Sequence, residues 1–420
     1  MSADVAFPAG FLWGAATSSH QVEGGNDGND WWDWEAAGRV ARGETSGNAA
    51  EWWTGRAEED LKRAADMGHN AHRMSLEWSR LEPQPGHWND AAFERYRAIV
   101  GTMRDLGLTP SVTLHHFTLP RWAARAGGWK NRGIVERFAW FARVCARRLA
   151  DLVDTWATIN EPTILLYKAY NERSWPPAGS PRDAPRVLAN LLRAHCAACI
   201  AVKEEQPDAH IGIVLNLPAI DPARPDNLLD RAVSRVQDGL FNGQVLRALA
   251  HGILHAPLSF TREHLPGDPN VADWYGLNYY GRHRMRFTPS SPLTLFGREV
   301  QHEVAEVSTT WGDPHPQGLT RHLLRIATLG RPVYVTENGI NDASDSVRPR
   351  YLANHVGAVR DAIAAGADVR GYFHWSLIDN FEWAEGWAPR FGLIALDRET
   401  QERKVRGSAE VYAAIIREAS

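Results

Sequence analysis

The stretch DTWATINEP (residues 154–162) places a polar pair and a proline at the end of a run of apolar and β-branched residues. Such a run predicts a buried strand whose last residues would be Asn160 and Glu161. A carboxylate in this position is costly unless it is paired or used in chemistry. A second run, RPVYVTENG (331–339), ends in the same way with Glu337. The two stretches therefore predict carboxylates at the ends of two buried strands.

Similar β-rich runs recur along the chain and alternate with segments of helical periodicity such as RAEEDLKRAADMG (56–68) and FERYRAIVGTMRDLG (93–107). Eight runs, seven intervening helical segments and a final helix over 408–419 predict one (β/α)8 barrel, with residues 1–420 as a single domain. No GxGxxG or P-loop motif follows a run, which argues against a doubly wound open sheet. The eight runs are 11–19, 70–78, 108–117, 154–162, 210–217, 273–280, 331–339 and 369–379.

Composition and charge exclude several classes of protein. A formal charge of −4 provides no basic field for nucleic acid or for an anionic membrane surface. The N-terminal residues lack the basic leader and apolar core of a signal peptide, and no apolar run is long enough for a membrane helix. Three cysteines cannot form a disulfide framework, so we expect a cytoplasmic protein. The oligomeric state stays open.

In a (β/α)8 barrel the active site lies at the C-terminal ends of the strands, and each predicted strand does end in polar residues. Glu161 and Glu337 end the fourth and seventh runs, which lie roughly opposite each other across the barrel mouth. Two carboxylates facing one cavity can hydrolyse a glycosidic bond, in a retaining or an inverting geometry according to their separation. One glutamate alone would be better explained by a salt bridge. Two glutamates, each beside an asparagine, favour catalysis.

Several longer motifs resemble those of glycoside hydrolase family 1, the β-glucosidase family. The resemblance begins at residue 7, ends at about residue 417 and keeps the order of the motifs, so it covers nearly the whole chain. The motifs are FLWGAATSSHQVEG (11–24), HRMSLEWSRLEP (72–83), LHHFTLP (114–120), TINEP (158–162), GLNYY (276–280), VTENG (335–339) and HWSLIDNFEWAEGWAPRFGL (374–393).

The resemblance implies that Glu161 is the general acid/base and Glu337 the nucleophile of a retaining mechanism. It also implies that Arg73 and Tyr280 hydrogen-bond Glu337 and keep it ionised. Asn160 would hold the sugar 2-hydroxyl, and Trp375 would form the floor on which the sugar stacks. The full set of implied substrate-binding residues is Gln21, His116, Asn160, Asn278, Tyr280, Trp375, Glu382 and Trp383.

The implied enzyme is a retaining exo-β-glycosidase that acts on cellobiose, cello-oligosaccharides and aryl or alkyl β-glucosides, without a cofactor or a metal ion. β-Galactosides and β-fucosides are the alternative substrates on the same site. An endoglucanase or β-mannosidase is a further alternative, and so is a catalytically idle sugar-binding barrel. Because the resemblance places Glu382 where 6-phosphoglycosidases bind phosphate, an unphosphorylated sugar is expected.

The chain departs from the family pattern at two tryptophans and in its length. The family usually has Tyr-His-Trp-Asp where this chain has His115-His116-Phe117-Thr118, and Phe117 offers no indole N–H to the sugar. Trp311 lies one position out of register in a segment (309–319) that matches poorly, and we assign it to the aglycone side. The chain is short for the family, which predicts shorter loops and a more open aglycone site.

Two further patterns have plainer interpretations. Cys196-Ala-Ala-Cys199 could indicate a redox or zinc site, but it lies in a long helical pattern without a second ligand pair, so we interpret it as small core residues. His115-His116 could indicate a metal centre, but carboxylates beside amides stand at the other strand ends. WWDWE (31–35) is expected to pack under the first loop.

Overall fold

The computed structural model describes residues 6–259, 261–267, 271–291, 294–300 and 310–419. Eight parallel strands close into a barrel in which each strand pairs with its neighbour in the chain and the last pairs with the first. Every strand falls inside one of the eight predicted runs, so the (β/α)8 fold is confirmed. The strands are β1 (Leu12–Ala16), β2 (Ala71–Ser75), β3 (Thr109–His115), β4 (Thr155–Asn160), β5 (His210–Asn216), β6 (Trp274–Asn278), β7 (Val333–Asn338) and β8 (Val369–Trp375).

Helices connect successive strands and surround the barrel. In the described part of the chain, none of them is both long and apolar enough to span a membrane. The longer helices are Asp30–Ala36, Ala57–Asp66, Asp90–Asp105, Ile134–Leu149, Ala184–Glu205, Leu228–Asp238, Gln244–His251, Pro316–Ala327, Arg348–Ala364 and Gly407–Ala419. Short helices Ser19–Val22, Trp78–Leu81, Arg121–Arg125 and Pro162–Leu166, and π-helical turns Trp52–Arg56, Tyr167–Glu172 and Gly239–Gly243, lie in the loops.

Small accessory sheets lie outside the barrel. The largest pairs Ala219–Pro222 with Arg282–Phe287, which also pairs with Gly297–Glu299. The first of these strands follows β5 and the other two follow β6, so this sheet extends the loops above that side of the barrel mouth. Among the described residues, two further sheets have two strands each, Ile394–Leu396 with Arg403–Val405 and Ile253–Leu254 with Glu263–His264.

The inside of the barrel is filled by large aromatic side chains set against glycines on neighbouring strands. The rings of Trp274 and Tyr334 meet edge to face at 5.3 Å. A Cβ at Gly212 would lie 2.4 Å from Cδ2 of Trp274, and a Cβ at Gly371 would lie 2.9 Å from Cδ1 of Tyr334. These glycines are needed because the neighbouring rings occupy the space of a side chain. The interior is therefore solid, and a substrate can bind only at the mouth.

The final helix, Gly407–Ala419, ties the two ends of the sheet together. The hydroxyl of Tyr412 donates to the carbonyl of Gly14 on β1 at 2.9 Å and to that of Tyr372 on β8 at 3.1 Å. Tyr412 is fully buried among the aromatic residues of these two strands. The helix therefore reinforces the seam at which the barrel closes.

Gly212→Ala is expected to destabilise the protein by about 1–3 kcal/mol, because the added methyl group must displace the Trp274 ring or the strand that carries it. The matched control is Gly101→Ala, in the helix Asp90–Asp105, where a Cβ meets nothing within 4 Å. That control should be neutral or stabilising by about 0.5–1 kcal/mol, since alanine favours helix. Denaturant unfolding measures both. Equal stability of the two variants would contradict the packing argument.

Candidate active site

Glu161 stands at the junction between β4 and the short helix Pro162–Leu166. Its backbone has φ 47° and ψ 61°, the left-handed region that non-glycine residues rarely adopt. Its N–H donates to the carbonyl of Val214 on β5 at 2.9 Å, which fixes this turn. Such strain, of order 1–3 kcal/mol, persists where the surrounding structure imposes it, and it occurs often at active sites. The turn directs the Glu161 side chain into the mouth of the barrel, where Asn216 and Asn278 receive it.

Glu337 lies in β7, and both of its carboxylate oxygens have a partner. Nη1 of Arg73 donates to Oε1 at 2.6 Å, and the hydroxyl of Tyr280 donates to Oε2 at 2.6 Å. Both members of the Arg73–Glu337 ion pair are almost completely buried. Charge-assisted hydrogen bonds of this length are strong and stabilise the ionised carboxylate. The structure thus places Arg73 and Tyr280 on Glu337, as the motifs predict.

Glu161 has a different environment. Its Oε1 accepts from Nδ2 of Asn216 at 2.9 Å and from Nδ2 of Asn278 at 2.7 Å, and no cation contacts it among the described residues. Burial, followed by the negative charge of Glu337, raises the pKa of Glu161 to about 8. Burial therefore favours the protonated form of Glu161, whereas Glu337 is paired with the guanidinium of Arg73. This is the division between acid and nucleophile that glycoside hydrolysis requires.

Asn160 connects the two glutamates through a continuous set of hydrogen bonds. Its Oδ1 accepts from Nη2 of Arg73 at 2.7 Å and from Nδ2 of Asn278 at 3.2 Å. Because Arg73 also contacts Glu337 and Asn278 also contacts Glu161, the two carboxyl groups face one polar network. The Asn160 amide nitrogen lies 3.3 Å from Nε2 of His116. The side chains that end β4 and β6 thus meet at one point.

The residues predicted to bind the sugar gather next to this network. Nε2 of Gln21 lies 3.3 Å from Oε2 of Glu382 and donates to the carbonyl of Phe381 at 2.8 Å. The His116 ring lies nearly parallel to the rings of Trp375 and Trp383, with centroids at 6.0 Å and 6.1 Å. Polar side chains and aromatic faces on one surface are what a sugar ring needs.

Glu382 belongs to the same electrostatic unit. Burial, and then the charges of Glu385, Glu337 and Glu161, raise the pKa of its carboxyl group well above the ordinary value, while the hydrogen bond from Gln21 acts in the opposite direction. Three carboxyl groups thus share one buried region, which disfavours an additional negative charge.

Two residues with no role in the sequence-based prediction complete the site. Asn216, at the end of β5, donates to Glu161, and Asn380 accepts from Gln21 at 3.1 Å. Asn216 lies in the tail of HIGIVLNL (210–217), and Asn380 directly follows VRGYFHWSLID (369–379). Their positions at the ends of predicted strands could therefore have identified them as site residues. The sequence does not show which carboxyl group or amide each of them contacts, because that depends on the register between neighbouring strands.

The departures from the family pattern have clear places in the structure. Phe117, with φ 73°, packs its ring against Trp175 at 4.8 Å and Trp383 at 5.3 Å. Thr118 donates to the buried carboxylate of Glu77 at 3.0 Å. Trp311 packs edge-on against Phe391 at 5.0 Å. Phe117 therefore contributes an apolar face where an indole N–H would otherwise be offered.

The plainer interpretations of the other motifs agree with their burial. Cys196 and Cys199 are free and buried in the helix Ala184–Glu205. Trp31, from the WWDWE motif, is fully buried and packs under Trp383 at 4.7 Å. Over the described ranges, no group of three or more His, Cys, Asp and Glu side chains is placed to hold a metal ion.

Residues 3–420 match the model of glycosyl hydrolase family 1. The chain is 34% identical to beta-glucosidase A of Thermotoga maritima, over 98% of each chain. It is 30% identical to a beta-galactosidase of Pyrococcus woesei, over 98% of this chain and 97% of the relative.

Solved structures agree with the sequence comparison. A beta-glycosidase from Pyrococcus horikoshii superposes with a TM-score of 0.90 at 38% identity, covering 99% of this chain and 95% of that one. A beta-glucosidase from Thermotoga maritima in complex with glucoimidazole gives a TM-score of 0.90 at 32% identity, with 99% of both chains covered. The family predicted from the motifs is thus confirmed, and with it the class of enzyme, a retaining glycosidase.

Glu161→Gln is expected to stabilise the fold increasingly as the pH rises from about 5 to about 8. In the folded wild-type protein the pKa of Glu161 is raised from 4.5 to about 8. The folded state therefore keeps a proton that the unfolded chain releases, and the wild-type protein loses stability as the pH rises through this window. Glutamine carries no charge and avoids this loss.

The measurement is the denaturant midpoint of both proteins at pH 5, 6, 7, 8 and 9. The matched control is Glu94→Gln, a substitution at an exposed position on the helix Asp90–Asp105, which should shift the midpoint equally at every pH. A constant difference between Glu161→Gln and the wild-type protein across the series would show that Glu161 is not protonated in the fold.

Proposed function

This chain belongs to glycosyl hydrolase family 1, and from that premise we propose that it is an exo-acting β-glucosidase. It removes the terminal non-reducing glucosyl residue from β-glucosides by double displacement. The observation that carries the proposal is the contrast between its two glutamates. Glu337 is held by Arg73 and Tyr280, while buried Glu161 has a pKa of about 8 and accepts hydrogen bonds from the amides of Asn216 and Asn278.

In the first step the Glu337 carboxylate attacks the anomeric carbon. A covalent bond forms between a Glu337 oxygen and that carbon while the bond to the leaving oxygen breaks. The proton of Glu161 passes to the leaving oxygen, so the aglycone departs as a neutral alcohol or phenol. Asn160 would donate to the 2-hydroxyl, a contact that strengthens as positive charge develops on the ring.

In the second step Glu161 changes from acid to base. Once Glu337 is esterified, it carries no negative charge, so one of the two causes that raise the pKa of Glu161 is removed. The carboxyl group, which has lost its proton to the aglycone, can then accept a proton from water as that water attacks the glycosyl-enzyme. The product keeps the β-configuration, and Glu337 is regenerated with its contacts to Arg73 and Tyr280.

The residues around the glutamates support recognition of a single terminal sugar. Gln21, His116 and Glu382 would bind its hydroxyl groups, Trp383 would assist them, and Trp375 would stack under the ring. The polar network of Asn160 and Asn278 joins this surface to both carboxyl groups, so a sugar bound here presents its anomeric carbon to Glu337. Packing of Phe117, Trp31 and Trp175 around Trp383 favours a closed terminal pocket over an endo-acting cleft.

Substrates of this enzyme include cellobiose, cello-oligosaccharides and aryl or alkyl β-glucosides, so it would contribute the final step of cellulose breakdown. β-Galactosides and β-fucosides are second candidates, since a relative of similar identity is named a beta-galactosidase. We further propose a cytoplasmic location. The three free, buried thiols of Cys145, Cys196 and Cys199 support a reducing compartment.

The roles of the two glutamates can be tested with azide. In Glu161→Ala the glycosyl-enzyme still forms from 2,4-dinitrophenyl β-glucoside, whose leaving group needs no proton. Azide should then attack it from the β-face and release β-glucosyl azide. In Glu337→Ala azide should occupy the place of the lost carboxylate and give α-glucosyl azide. NMR of the products distinguishes the two anomers, and β-azide from the Glu337 variant would contradict the assignment.

Without azide, Glu161→Ala is expected to slow the hydrolysis of substrates with poor leaving groups by about 10²–10⁴-fold, the usual range for a general acid. Glu337→Ala should abolish hydrolysis of all of them. Residual wild-type-like activity of Glu337→Ala would contradict the mechanism. If neither the variant nor the wild-type protein hydrolyses any of these substrates, a sugar-binding barrel is favoured.

Sugar specificity is tested by kcat/KM on 4-nitrophenyl β-glucoside, β-galactoside, β-fucoside and β-mannoside, with cellobiose and lactose. The β-glucoside and cellobiose are expected to be cleaved, and the β-mannoside to be cleaved worst, because its axial 2-hydroxyl would lose the proposed hydrogen bond with Asn160. A preference for β-mannoside, or a rapid fall in the viscosity of a soluble cellulose derivative, would contradict exo-acting β-glucosidase activity.

A further inference from the structure

Glu77 is a buried carboxylate that the proposed mechanism does not use. It lies just after β2 and is completely shielded from solvent. Its Oε1 accepts from the hydroxyl of Ser79 at 2.7 Å, and its Oε2 accepts from the hydroxyl of Thr118 at 3.0 Å. Among the described residues, no basic side chain forms an ion pair with it. A buried charge that is held by neutral donors alone is unfavourable, so this carboxylate calls for an explanation.

One of the donors, Thr118, belongs to the loop that carries His116. Thr118 lies two residues after His116, which is expected to bind the sugar. Between them Phe117 has φ 73°, in the left-handed region that non-glycine residues rarely adopt. Such a strained conformation persists only where the surrounding structure imposes it. The bond from Thr118 to Glu77 fixes the chain directly after the strained residue and so restrains the turn that presents the His116 ring.

The position of His116 matters for two further residues of the site. Its ring lies nearly parallel to the ring of Trp375, with centroids 6.0 Å apart, and its Nε2 lies 3.3 Å from the amide nitrogen of Asn160. Both of these residues are also expected to contact the sugar. Because small displacements of substrate-positioning groups can cost a large part of the rate, a restraint on this loop bears directly on catalysis.

Glu77 is itself held firmly by its own side of the barrel. Its backbone N–H donates to the buried hydroxyl of Tyr96 at 2.8 Å, and that hydroxyl donates to Glu23 at 2.6 Å. Its Oε1 also accepts from the backbone N–H of Ser79 at 3.3 Å, which caps the short helix Trp78–Leu81. The carboxylate is therefore a fixed point to which the loop after β3 can be attached.

The contact between Glu77 and Thr118 also accounts for one departure from the family pattern. The family usually has an aspartate at position 118, whereas this chain has a hydroxyl donor there and a carboxylate at the end of β2. An aspartate at 118 would face Glu77 as a second buried carboxylate, and two like charges so close together repel each other. The residues at positions 77 and 118 are therefore coupled.

We propose that Glu77 is a positioning residue for the sugar site. Through its hydrogen bond with Thr118 it holds the strained turn at Phe117 and so sets the His116 ring against the bound sugar. This inference rests on the proposed β-glucosidase function and adds to it a residue that does not touch the substrate. Since the bond joins a hydroxyl to a buried carboxylate, its loss should lower kcat/KM about tenfold.

The first test introduces Thr118→Val into the wild-type enzyme and into His116→Ala, with 2,4-dinitrophenyl β-glucoside as the substrate. Valine has the shape of threonine but cannot donate a hydrogen bond. In the wild-type background Thr118→Val should lower kcat/KM about tenfold. In the His116→Ala background it should lower kcat/KM by less than about twofold, because the side chain that it positions is absent. Thr118→Ser keeps the hydroxyl and should stay close to the wild-type value.

The matched control is Thr320→Val in the helix Pro316–Ala327, which removes a hydroxyl bond of 2.9 Å to the carbonyl of Ala358. It should lower the denaturant midpoint and leave kcat/KM unchanged in both backgrounds. An equal fall for Thr118→Val in the two backgrounds would overturn the positioning role while leaving the β-glucosidase function intact. If the wild-type enzyme hydrolyses no β-glycoside, the proposed function itself fails, and the positioning role with it.

A second test reverses the polarity of the contact and does not depend on the folding of Thr118→Val. Thr118→Asp alone should lower kcat/KM at least about tenfold, because the new carboxylate faces that of Glu77. Adding Glu77→Gln should recover at least about fivefold of this loss, because the new amide can donate to the new carboxylate. If the second substitution gives no recovery, the two positions do not act through each other, and the proposal is overturned.

Discussion

The buried guanidinium of Arg73 holds Glu337 at 2.6 Å and Asn160 at 2.7 Å, and the rest of the site is arranged around these two contacts. A cation buried in the barrel would be very unfavourable without partners, so Arg73 needs both the carboxylate of β7 and the amide of β4. The same two contacts fix the positions of the Glu337 and Asn160 side chains. Asn160 also accepts a hydrogen bond from Asn278, which donates to Glu161. A continuous set of hydrogen bonds therefore connects Glu337 with Glu161.

The same network separates the properties of two chemically identical side chains. Glu337 is paired with a cation, whereas Glu161 is buried among amides and is repelled by Glu337, which raises its pKa to about 8. The two states are coupled, because the Glu337 charge that adds to the effect of burial on the pKa of Glu161 is the charge that Arg73 pairs with. In the proposed mechanism this coupling lets Glu161 act first as an acid and then as a base, once Glu337 is esterified.

The solid interior of the barrel determines where specificity can reside. Trp274 and Tyr334 fill the space below the site, so a substrate can extend only upward into the loops. Trp375 ends β8 and Glu382 lies in the loop that follows it, and both are buried. Under the proposed function, the sugar is bound at this buried surface next to the two glutamates.

The sequence by itself determined the barrel, because β-rich runs ending in polar residues recur eight times between segments of helical periodicity, and all eight coincide with observed strands. It also determined which residues stand at the mouth, since strand ends share one face of the barrel. It could not indicate that Asn216 binds Glu161, nor that Thr118 binds Glu77. Those contacts depend on the register between neighbouring strands and on the path of long loops, which local residue patterns do not encode. The pKa of Glu161 belongs to the tertiary structure for the same reason, because burial and a charge from a distant strand create it.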